Sequence, residues 1–511
     1  MNAQIIQAKQ WMGRWLWVSA LVLAALLHQL VFATLILAAQ RTDRVAGICE
    51  EQVVATWGSA GQPEPFSPRA ARVSSTANTW ARTYGGSRGD IATAIQPTAD
   101  GGYIVAGETI SFGAGNQDLW VLKLDGQGNV QWEKTYGGPV WEGANVIRAT
   151  SDGGYIVAGY TSSFGAGAMD VWVLKLDGQG NIQWQKTYGG SQDEEAFDIQ
   201  TTSDGGYIVV GYTASFGDPD NDLWVLKLDG AGNVQWQKTY GGGREESGSA
   251  VQITGDGGYI VAGITRSFVD YDGDAWILKL NSAGDIEWQK AYGGSLTDSA
   301  SAVWPTGDGG YIVAGGAESG AHYNSVWVAK MDSQGNVIWQ KIYDGNSVDY
   351  AVDLWPMADG GYIVAGNTKS FSDFDGDLWV LKLDASGDIQ WQKTYGGPDW
   401  DEAEAIWPTA DGGYVVAGLT ASFGAGGVDA WVLNLDGQGD VSGCVSPIVD
   451  TPSVVPSPAG LGVYTSNATP AVSSATVSVS SATPVASSAT VGDQCPPSGP
   501  AHRLYLPLVV R

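Results

Sequence analysis

The chain has 511 residues, of which 72 are glycine, and its 54 acidic residues oppose 26 basic ones for a net charge of −28. A surface this acidic repels phosphate groups, which excludes nucleic acids and anionic lipid headgroups as favoured partners. Residues 80–443 contain one histidine and no cysteine, which excludes zinc sites built on those residues and cysteine nucleophiles in that region.

The first 44 residues are typical of an export element. Lys9 and Arg14 precede an uncharged run of 24 residues, 16–39. The apolar core of a cleaved signal peptide is about 7–15 residues long, whereas a membrane-spanning helix needs about 20. The length favours an uncleaved signal-anchor, and a signal cleaved near Ala33 is the alternative. In both cases we expect the rest of the chain to lie outside the membrane, joined through a linker at 45–79.

Residues 80–443 are built from an internal repeat. Each period holds four runs of β-branched and aromatic residues separated by turn residues. Periods of about 50 residues with four strands predict a β-propeller. The sequence therefore predicts an all-β fold with seven four-stranded blades. The repeated phrase Asp-Gly-Gly-Tyr begins, at spacings of 51 or 52 residues, at Asp100, Asp152, Asp204, Asp256, Asp308, Asp359 and Asp411.

The order of strands within the repeat predicts how the ring closes. In the second period the strands are expected at 144–148 (A), 154–161 (B), 171–176 (C) and 182–188 (D). The repeat opens with a lone strand-D phrase at Trp80 and ends with a strand C, so we expect the N-terminal strand to complete the last blade. Such closure removes the unpaired edges that an open ring would leave.

The repeated strings DGGYIVAGxTxSFGAG, WVLKLD and WQKTYGG resemble repeats of secreted bacterial and archaeal β-propeller proteins, some of which carry an endoglucanase-like label. The strand C–D phrase is also distantly similar to the tryptophan-docking repeats of quinoprotein dehydrogenases. The resemblance covers 364 of the 511 residues and implies the propeller fold without assigning an activity. No quinone-binding constellation accompanies it, so no such cofactor is implied.

An acidic residue recurs near the start of strand A in every blade. These carboxylates form either a ring at the channel mouth that attracts cations or structural caps that accept hydrogen bonds from backbone N–H groups. The set consists of Asp90, Glu142, Glu194, Glu246, Asp298, Asp349 and Asp401.

One face of the propeller is expected to bind the ligand. Because strands alternate in direction, the D–A and B–C loops share one face, here the loop face, and the short A–B and C–D turns share the other, the turn face. Loops that vary between blades are the usual place for binding residues. The candidates are Trp141 beside Glu142, Trp400 beside Asp401, and Tyr350. An indole next to a carboxylate suits sugar stacking with hydroxyl hydrogen bonds, and a tryptophan that merely anchors its loop is the alternative.

Three B–C loops carry alternating aspartates. Calcium prefers several oxygen ligands, and Asp-x-Asp-x-Asp supplies three from a tight loop, so Ca²⁺ is a candidate ligand; a solvated acidic loop is the alternative. The last aspartate of each loop recurs in other blades and is expected to be a structural turn residue. The three sets are Asp218, Asp220 and Asp222; Asp270, Asp272 and Asp274; and Asp373, Asp375 and Asp377.

Two further features lie at the channel and at the C-terminus. Trp304, Trp355 and Trp407 occupy the same strand-A position in three consecutive blades and either plug the channel or line an aromatic subsite.

Residues 444–500 are rich in Ser, Thr, Ala, Val and Pro and predict a disordered linker, followed by a short tail at 501–511. Cys444 and Cys495 flank this stretch and could pair in an oxidising compartment.

The leading hypothesis is an exported, monomeric binding or adhesion module, secreted or anchored at the cell surface, whose partner is an extracellular glycan or protein. A glycoside hydrolase that uses loop-face acids is the first alternative, and a structural surface protein is the second. A hydrolase needs two carboxyl groups about 5–5.5 Å or 6.5–9.5 Å apart. No uniquely placed acid with a raised pKa is evident from the sequence, which argues against catalysis.

Overall fold

The computed structural model describes residues 79–441, except 269–271, 320–321, 344, 346, 372–374 and 425, together with seven short strand segments between 448 and 493. The predicted export element, the linker at 45–78, both C-terminal cysteines and residues 501–511 lie outside the described residues. Among the described residues, no helix is long and apolar enough to span a membrane.

The repeat folds into the predicted seven-bladed β-propeller, with four antiparallel strands in each blade. Blades 1 to 3 consist of β2 (Asp90–Pro97), β3 (Tyr103–Thr109), β4 (Asp118–Leu124) and β5 (Val130–Tyr136); β6 (Glu142–Ala149), β7 (Tyr155–Thr161), β8 (Asp170–Leu176) and β9 (Ile182–Gly189); and β10 (Glu194–Thr201), β11 (Tyr207–Thr213), β12 (Asp222–Leu228) and β13 (Val234–Tyr240). The strands expected in the second period are confirmed to within two residues at each end.

Blades 4 to 6 repeat this arrangement. They consist of β14 (Glu246–Ile253), β15 (Tyr259–Thr265), β16 (Asp274–Leu280) and β17 (Ile286–Gly293); β18 (Asp298–Pro305), β19 (Tyr311–Ser319), β20 (His322–Met331) and β21 (Val337–Tyr343); and β22 (Asp349–Pro356), β23 (Tyr362–Thr368), β24 (Asp377–Leu383) and β25 (Ile389–Tyr395).

Blade 7 is built from both ends of the repeat, as predicted. Its first three strands are β26 (Asp401–Pro408), β27 (Tyr414–Thr420) and β28 (Asp429–Leu435), and its fourth is β1 (Trp80–Gly85). β1 runs antiparallel to β28, with Trp80 opposite Asn434 and Tyr84 opposite Ala430. The ring is therefore closed by strand pairing between residues far apart in sequence.

The core lies between neighbouring blades, because each sheet is covered on both faces. Strand C is buried along its length in most blades, and its tryptophan is the largest side chain there. In blade 2, the Phe164 ring packs against Trp172 with centroids 5.7 Å apart. The seven equivalent tryptophans are all at most 2% exposed: Trp120, Trp172, Trp224, Trp276, Trp327, Trp379 and Trp431.

A repeated hydrogen bond joins each blade to the next. In the joint between blades 1 and 2, the Tyr136 hydroxyl donates to the carbonyl oxygen of Gly180 at 2.6 Å. Gly180 has φ +73°, and a Cβ there would lie 2.7 Å from the Trp132 ring, so the turn requires glycine. The same bond, 2.6–2.7 Å long, recurs at all seven joints from Tyr84, Tyr136, Tyr188, Tyr240, Tyr292, Tyr343 and Tyr395.

The strand-C lysines form ion pairs within their own blades. Lys227 is buried, and its Nζ lies 2.8 Å from Asp204 and donates to the carbonyl oxygen of Leu228 at 3.1 Å. Burial opposes ionisation of Asp204, but hydrogen bonds from Lys227, Thr202 and Gly206 outweigh it and lower the pKa of Asp204 to about 2. Each pair ties the A–B turn to strand C.

The segment expected to be a disordered linker carries short strands in the structure. Each pairs antiparallel with the outer strand of one blade and so adds a fifth strand to it. The segments are β29 (Ile448–Asp450), β30 (Ser457–Pro458), β31 (Gly462–Thr465), β32 (Ala471–Val472), β33 (Thr476–Val479), β34 (Val485–Ala486) and β35 (Thr490–Asp493).

Candidate functional site

The D–A and B–C loops meet on one face, as the strand order predicted. Gln117, in the B–C loop of blade 1, forms a parallel bridge with Trp141, in the D–A loop that leads into blade 2. Met169 and Asp193 form the same bridge one blade further on. The loop face is therefore a continuous, hydrogen-bonded surface in which neighbouring blades support each other.

The recurring acids at the start of strand A are structural caps. Glu142 is fully buried and accepts hydrogen bonds from the backbone N–H of Gly138 at 2.7 Å and from the Thr161 hydroxyl at 3.1 Å. Asp401 is equally buried and accepts from the N–H of Gly397 at 2.7 Å. All seven acids make this bond, which confirms the cap interpretation. The carboxylates predicted beside the two indoles thus point inward.

The two predicted indoles are exposed on the loop face. Trp141 is 56% exposed and Trp400 is 39% exposed. Their loops are held in place: the carbonyl oxygen of Trp141 accepts from the N–H of Ser162, and that of Trp400 from Ala421, both at 2.8 Å. Each ring therefore stands on a fixed backbone with one side open to solvent, the arrangement that stacking on a flat ligand requires.

The aspartate loops show different roles for their members. Asp222 is buried and accepts a hydrogen bond from the N–H of Asp218 at 2.7 Å, so the last aspartate is a turn residue, as expected. Burial and the charges of Glu246, Asp218 and Asp220 raise the pKa of Asp222 to about 7. No group of three or more Asp, Glu, His or Cys residues in the described part could hold a metal ion.

Asp270 and Asp373 lie outside the described residues, so two of the three predicted sets are described only in part. Calcium binding stays a prediction for these loops. A calorimetric titration of chelator-treated protein with calcium would test it, since binding to carboxylates would release or absorb measurable heat.

The central channel is lined by strand A of every blade. A β-bulge at the middle of each strand A, such as that between Ala144 and Val146 in blade 2, leaves one residue unpaired and facing the channel. A cavity of about 120 Å³ lies among these side chains. The residues at the bulge are Thr93, Asn145, Phe197, Ser249, Ser301, Val352 and Glu404.

The turn-face end of the channel is filled by aromatic rings. Trp355 lies between Trp304 and Trp407, with ring centroids 3.8 and 4.0 Å away. The Arg148 guanidinium lies 5.7 Å from the Trp407 centroid and 2.9 Å from the carboxylate of Asp198. The three rings pack against one another at interplanar angles of 40° and 48° and leave little surface for a ligand, which favours the plug over the aromatic subsite.

Glu404 is an acid that the sequence analysis did not single out. It lines the channel, and burial, together with the charges of Glu402 and Glu108, raises its pKa to about 8. A carboxyl group with this pKa carries a proton at neutral pH and can donate a hydrogen bond. The expectation that no uniquely placed acid has a raised pKa was therefore wrong.

Glu404 belongs to a polar group at the loop-face end of the channel, here the channel-mouth cluster. On the side of blades 1 and 2, Gln117 donates to Glu108 at 2.5 Å and to the Tyr160 hydroxyl at 2.7 Å. On the side of blades 6 and 7, the hydroxyl of Tyr350, one of the predicted ligand residues, donates to Glu402 at 3.0 Å. The cluster consists of Glu108, Gln117, Asn145, Tyr160, Glu195, Tyr350, Glu402 and Glu404.

Two more members, Asn145 and Glu195, extend the channel-mouth cluster into blade 3. Asn145 donates to Glu195 at 2.8 Å, and the charge of Glu195 contributes to a raised pKa at Glu108, whose main cause is burial. Gln117 is also the residue that bridges to Trp141. The indole of Trp141, the more exposed of the two predicted ones, is thus connected through one backbone bridge to the hydrogen-bonding groups of the channel mouth.

The sequence analysis named only Tyr350 among the members of this cluster, because it looked for binding residues in the loops and all members but Gln117 lie on strands A and B. One signal was available: at the bulge position of strand A, Glu404 is the one acid among seven residues. Glu108 and Tyr160 occupy equivalent positions in neighbouring blades, yet only the fold shows that their side chains meet across the blade joint.

Comparisons with known proteins find structural likenesses at low sequence identity. No protein-family model and no curated protein matches the chain. The chain is similar to the crystal structure of Sqt1 from Chaetomium thermophilum, at 14% identity over 76% of this chain and 90% of that one, with a TM-score of 0.39. It is similar to a puromycin hydrolase mutant complexed with PGG, at 13% identity over 66% of this chain and 58% of that one, with a TM-score of 0.30. Likenesses this distant carry no argument about the fold or the function of this chain.

Proposed function

We propose that this protein is an exported binding module, secreted or anchored at the cell surface, which holds an extracellular glycan on its loop face. The apolar run at 16–39 supports export. The net charge of −28 favours neutral ligands over anionic ones.

The observation that carries the proposal is the position of Trp141. Its 56% exposed indole stands on a loop bridged to Gln117, and Gln117 bonds to Glu108 and Tyr160 at the channel mouth. A sugar ring stacked on the indole would present its hydroxyl groups toward carboxylate, phenol and amide groups. Neutral polyols need this combination of a flat apolar platform and several hydrogen-bonding partners.

Hydrolysis of the same ligand is a second candidate function, because Glu404 is an acid with a raised pKa, which the sequence analysis did not find. A carboxyl group with a pKa near 8 is protonated at neutral pH, as a general acid must be. Glu402, two residues away on the same strand, is a candidate for the second carboxylate. The loop-face acids Glu142 and Asp401 are bonded to their own loops and are poor candidates for this role.

The test is retention of the protein on a panel of neutral and anionic polysaccharides, with reducing ends measured in the same tubes. Retention that Trp141→Ala lowers about tenfold or more supports the glycan module. Ile338→Ala is the matched control, because Ile338 is 59% exposed on β21, away from the loop face. An equal effect of both variants, or no retention on any polymer, would remove the glycan and favour a protein partner or a structural role.

Reducing ends that appear with wild-type protein and vanish with Glu404→Gln would establish the hydrolase. Reducing ends that persist in this variant would assign the activity to other carboxylates.

A further inference from the structure

We infer that the seven strand segments between 448 and 493 form a belt, a strand donor within the same chain that pairs with the outer edge of every blade and stabilises the closure of the ring in blade 7. The outer strand of a propeller blade presents unpaired N–H and C=O groups along one edge. Such an edge accepts a further strand through backbone hydrogen bonds, with little demand on side chains.

The belt visits the blades in strict reverse order. β29 pairs with β25 of blade 6, β30 with β21 of blade 5, and β31 with β17 of blade 4. The remaining segments pair in turn with β13 of blade 3, β9 of blade 2, β5 of blade 1 and β1 of blade 7. Each edge thus has one occupant, and the occupant is part of the same chain.

The belt segments are regularly spaced along the chain. The four-residue segments begin at Gly462, Thr476 and Thr490, which are 14 residues apart. The two-residue segments begin at Ser457, Ala471 and Val485, also 14 residues apart. One period of 14 residues therefore serves two blades, with a longer and a shorter segment in alternation.

The sequence repeats with the same period. Residues 466–479 read SNATPAVSSATVSV and residues 480–493 read SSATPVASSATVGD. Pro456, Pro470 and Pro484 each directly precede a two-residue segment. A 14-residue repeat is unnecessary for a disordered linker, but it matches a segment that makes the same contacts on successive pairs of blades.

The last belt segment lies at the seam of the ring. β35 pairs with β1 in a register that sets Asp493 opposite Arg82 and Val491 opposite Tyr84. β1 lies between β28 and β35, so both of its edges are paired. Because β1 is the strand that closes blade 7, release of β35 would expose the edge at which the ring opens.

The experiment is hydrogen exchange of the full chain, read at the backbone amides of β1 and of β17. Val491→Pro combined with Gly492→Pro removes two adjacent N–H groups of β35, so at least one bond to β1 is lost whichever way the segment faces. Ser480→Pro combined with Ser481→Pro, between two segments, is the control. We expect exchange at β1 to accelerate about tenfold or more in the first variant alone, with β17 unchanged in both.

A synthetic peptide of residues 476–493 should restore the protection of β1 in the variant. The near-ultraviolet circular dichroism of the buried tryptophans reports whether the ring itself stays folded. Association of the variant into dimers would also support the inference, since a second copy would then occupy the exposed edge. The belt is overturned if only the amides that face β28 are protected in the wild-type chain, or if both proline variants behave alike.

Discussion

The hydroxyl of Tyr84 donates a 2.6 Å hydrogen bond to the carbonyl oxygen of Gly128, which joins the N-terminal strand in blade 7 to a turn of blade 1. The same tyrosine–glycine bond occurs at every other joint. At this joint alone, the tyrosine lies on a strand that no loop connects to the rest of its own blade.

Replacing this tyrosine should therefore have a larger dynamic effect than replacing its equivalents. Tyr84→Phe and Tyr240→Phe each remove a buried bond and should lower the free energy of unfolding by about 1–2 kcal/mol. Only Tyr84→Phe should also speed hydrogen exchange at β1, because the strand can leave without unfolding blade 7. Equal exchange at β1 in both variants would show that the seam is no weaker than the other joints.

Loss of a strand-C tryptophan should be among the most damaging single changes. Trp224 is fully buried in the core between blades, and Trp224→Ala should cost about 3–5 kcal/mol of unfolding free energy in denaturant titration. Trp141→Ala removes the same side chain from the surface and should change stability by about 0.5 kcal/mol or less. A large loss from the second variant would mean that Trp141 anchors its loop.

Stability should fall as the pH rises from about 4.5 toward 8. The folded pKa of Glu404, about 8, lies above its ordinary value of 4.5, and that of Asp353 is raised to about 7 by burial. The folded protein therefore keeps protons that the unfolded chain releases, and their stabilising contribution is complete below the unfolded pKa values and lost as pH rises through the folded ones.

The Glu404→Gln variant checks this assignment, because a neutral amide does not titrate. Its melting temperature should exceed that of the wild-type protein by a few degrees at pH 8 and match it near pH 5. Equal melting temperatures at both pH values would show that Glu404 ionises at no cost in the channel.

Acid should destabilise the protein through a different set of groups. The pKa values of Asp100, Asp152 and Asp204 are about 2 in the fold, below their ordinary value of 3.8. Each contributes stability above pH 3.8 that disappears as the pH falls toward 2. The lowered pKa values of these aspartates and the raised pKa values of the channel carboxyls together place maximal stability at about pH 4–5. Melting temperature measured against pH would check this maximum. A maximum at pH 7 or above would contradict the raised pKa values of the channel carboxyls, and constant stability between pH 4 and pH 2 would contradict the lowered pKa values of the three aspartates.

The sequence predicted those parts of the structure that depend on the internal repeat. Seven copies of one phrase define the blades, and the lone phrase at Trp80 defines the closure. The role of Asp222 as a turn residue followed from the recurrence of an aspartate at equivalent positions of other blades.

What the sequence did not predict depends on contacts between blades or on weak local signals. The hydrogen bond between Tyr160 and Glu108 joins residues 52 positions apart, and neither local sequence predicts it. The raised pKa of Glu404 arises mainly from burial in the channel, and the charges of Glu402 and Glu108, from two different blades, add to it. The belt was missed because its strand segments are two to four residues long and their composition is typical of linkers.

The closure of blade 7 also determines the face from which the chain enters the propeller. Trp80 pairs with Asn434, next to the turn at 436–440, so the chain enters the propeller from the turn face. The indoles of Trp141 and Trp400 stand on the opposite face. The described chain therefore begins at one end of the central channel, and the loops that carry the two indoles surround the opposite end.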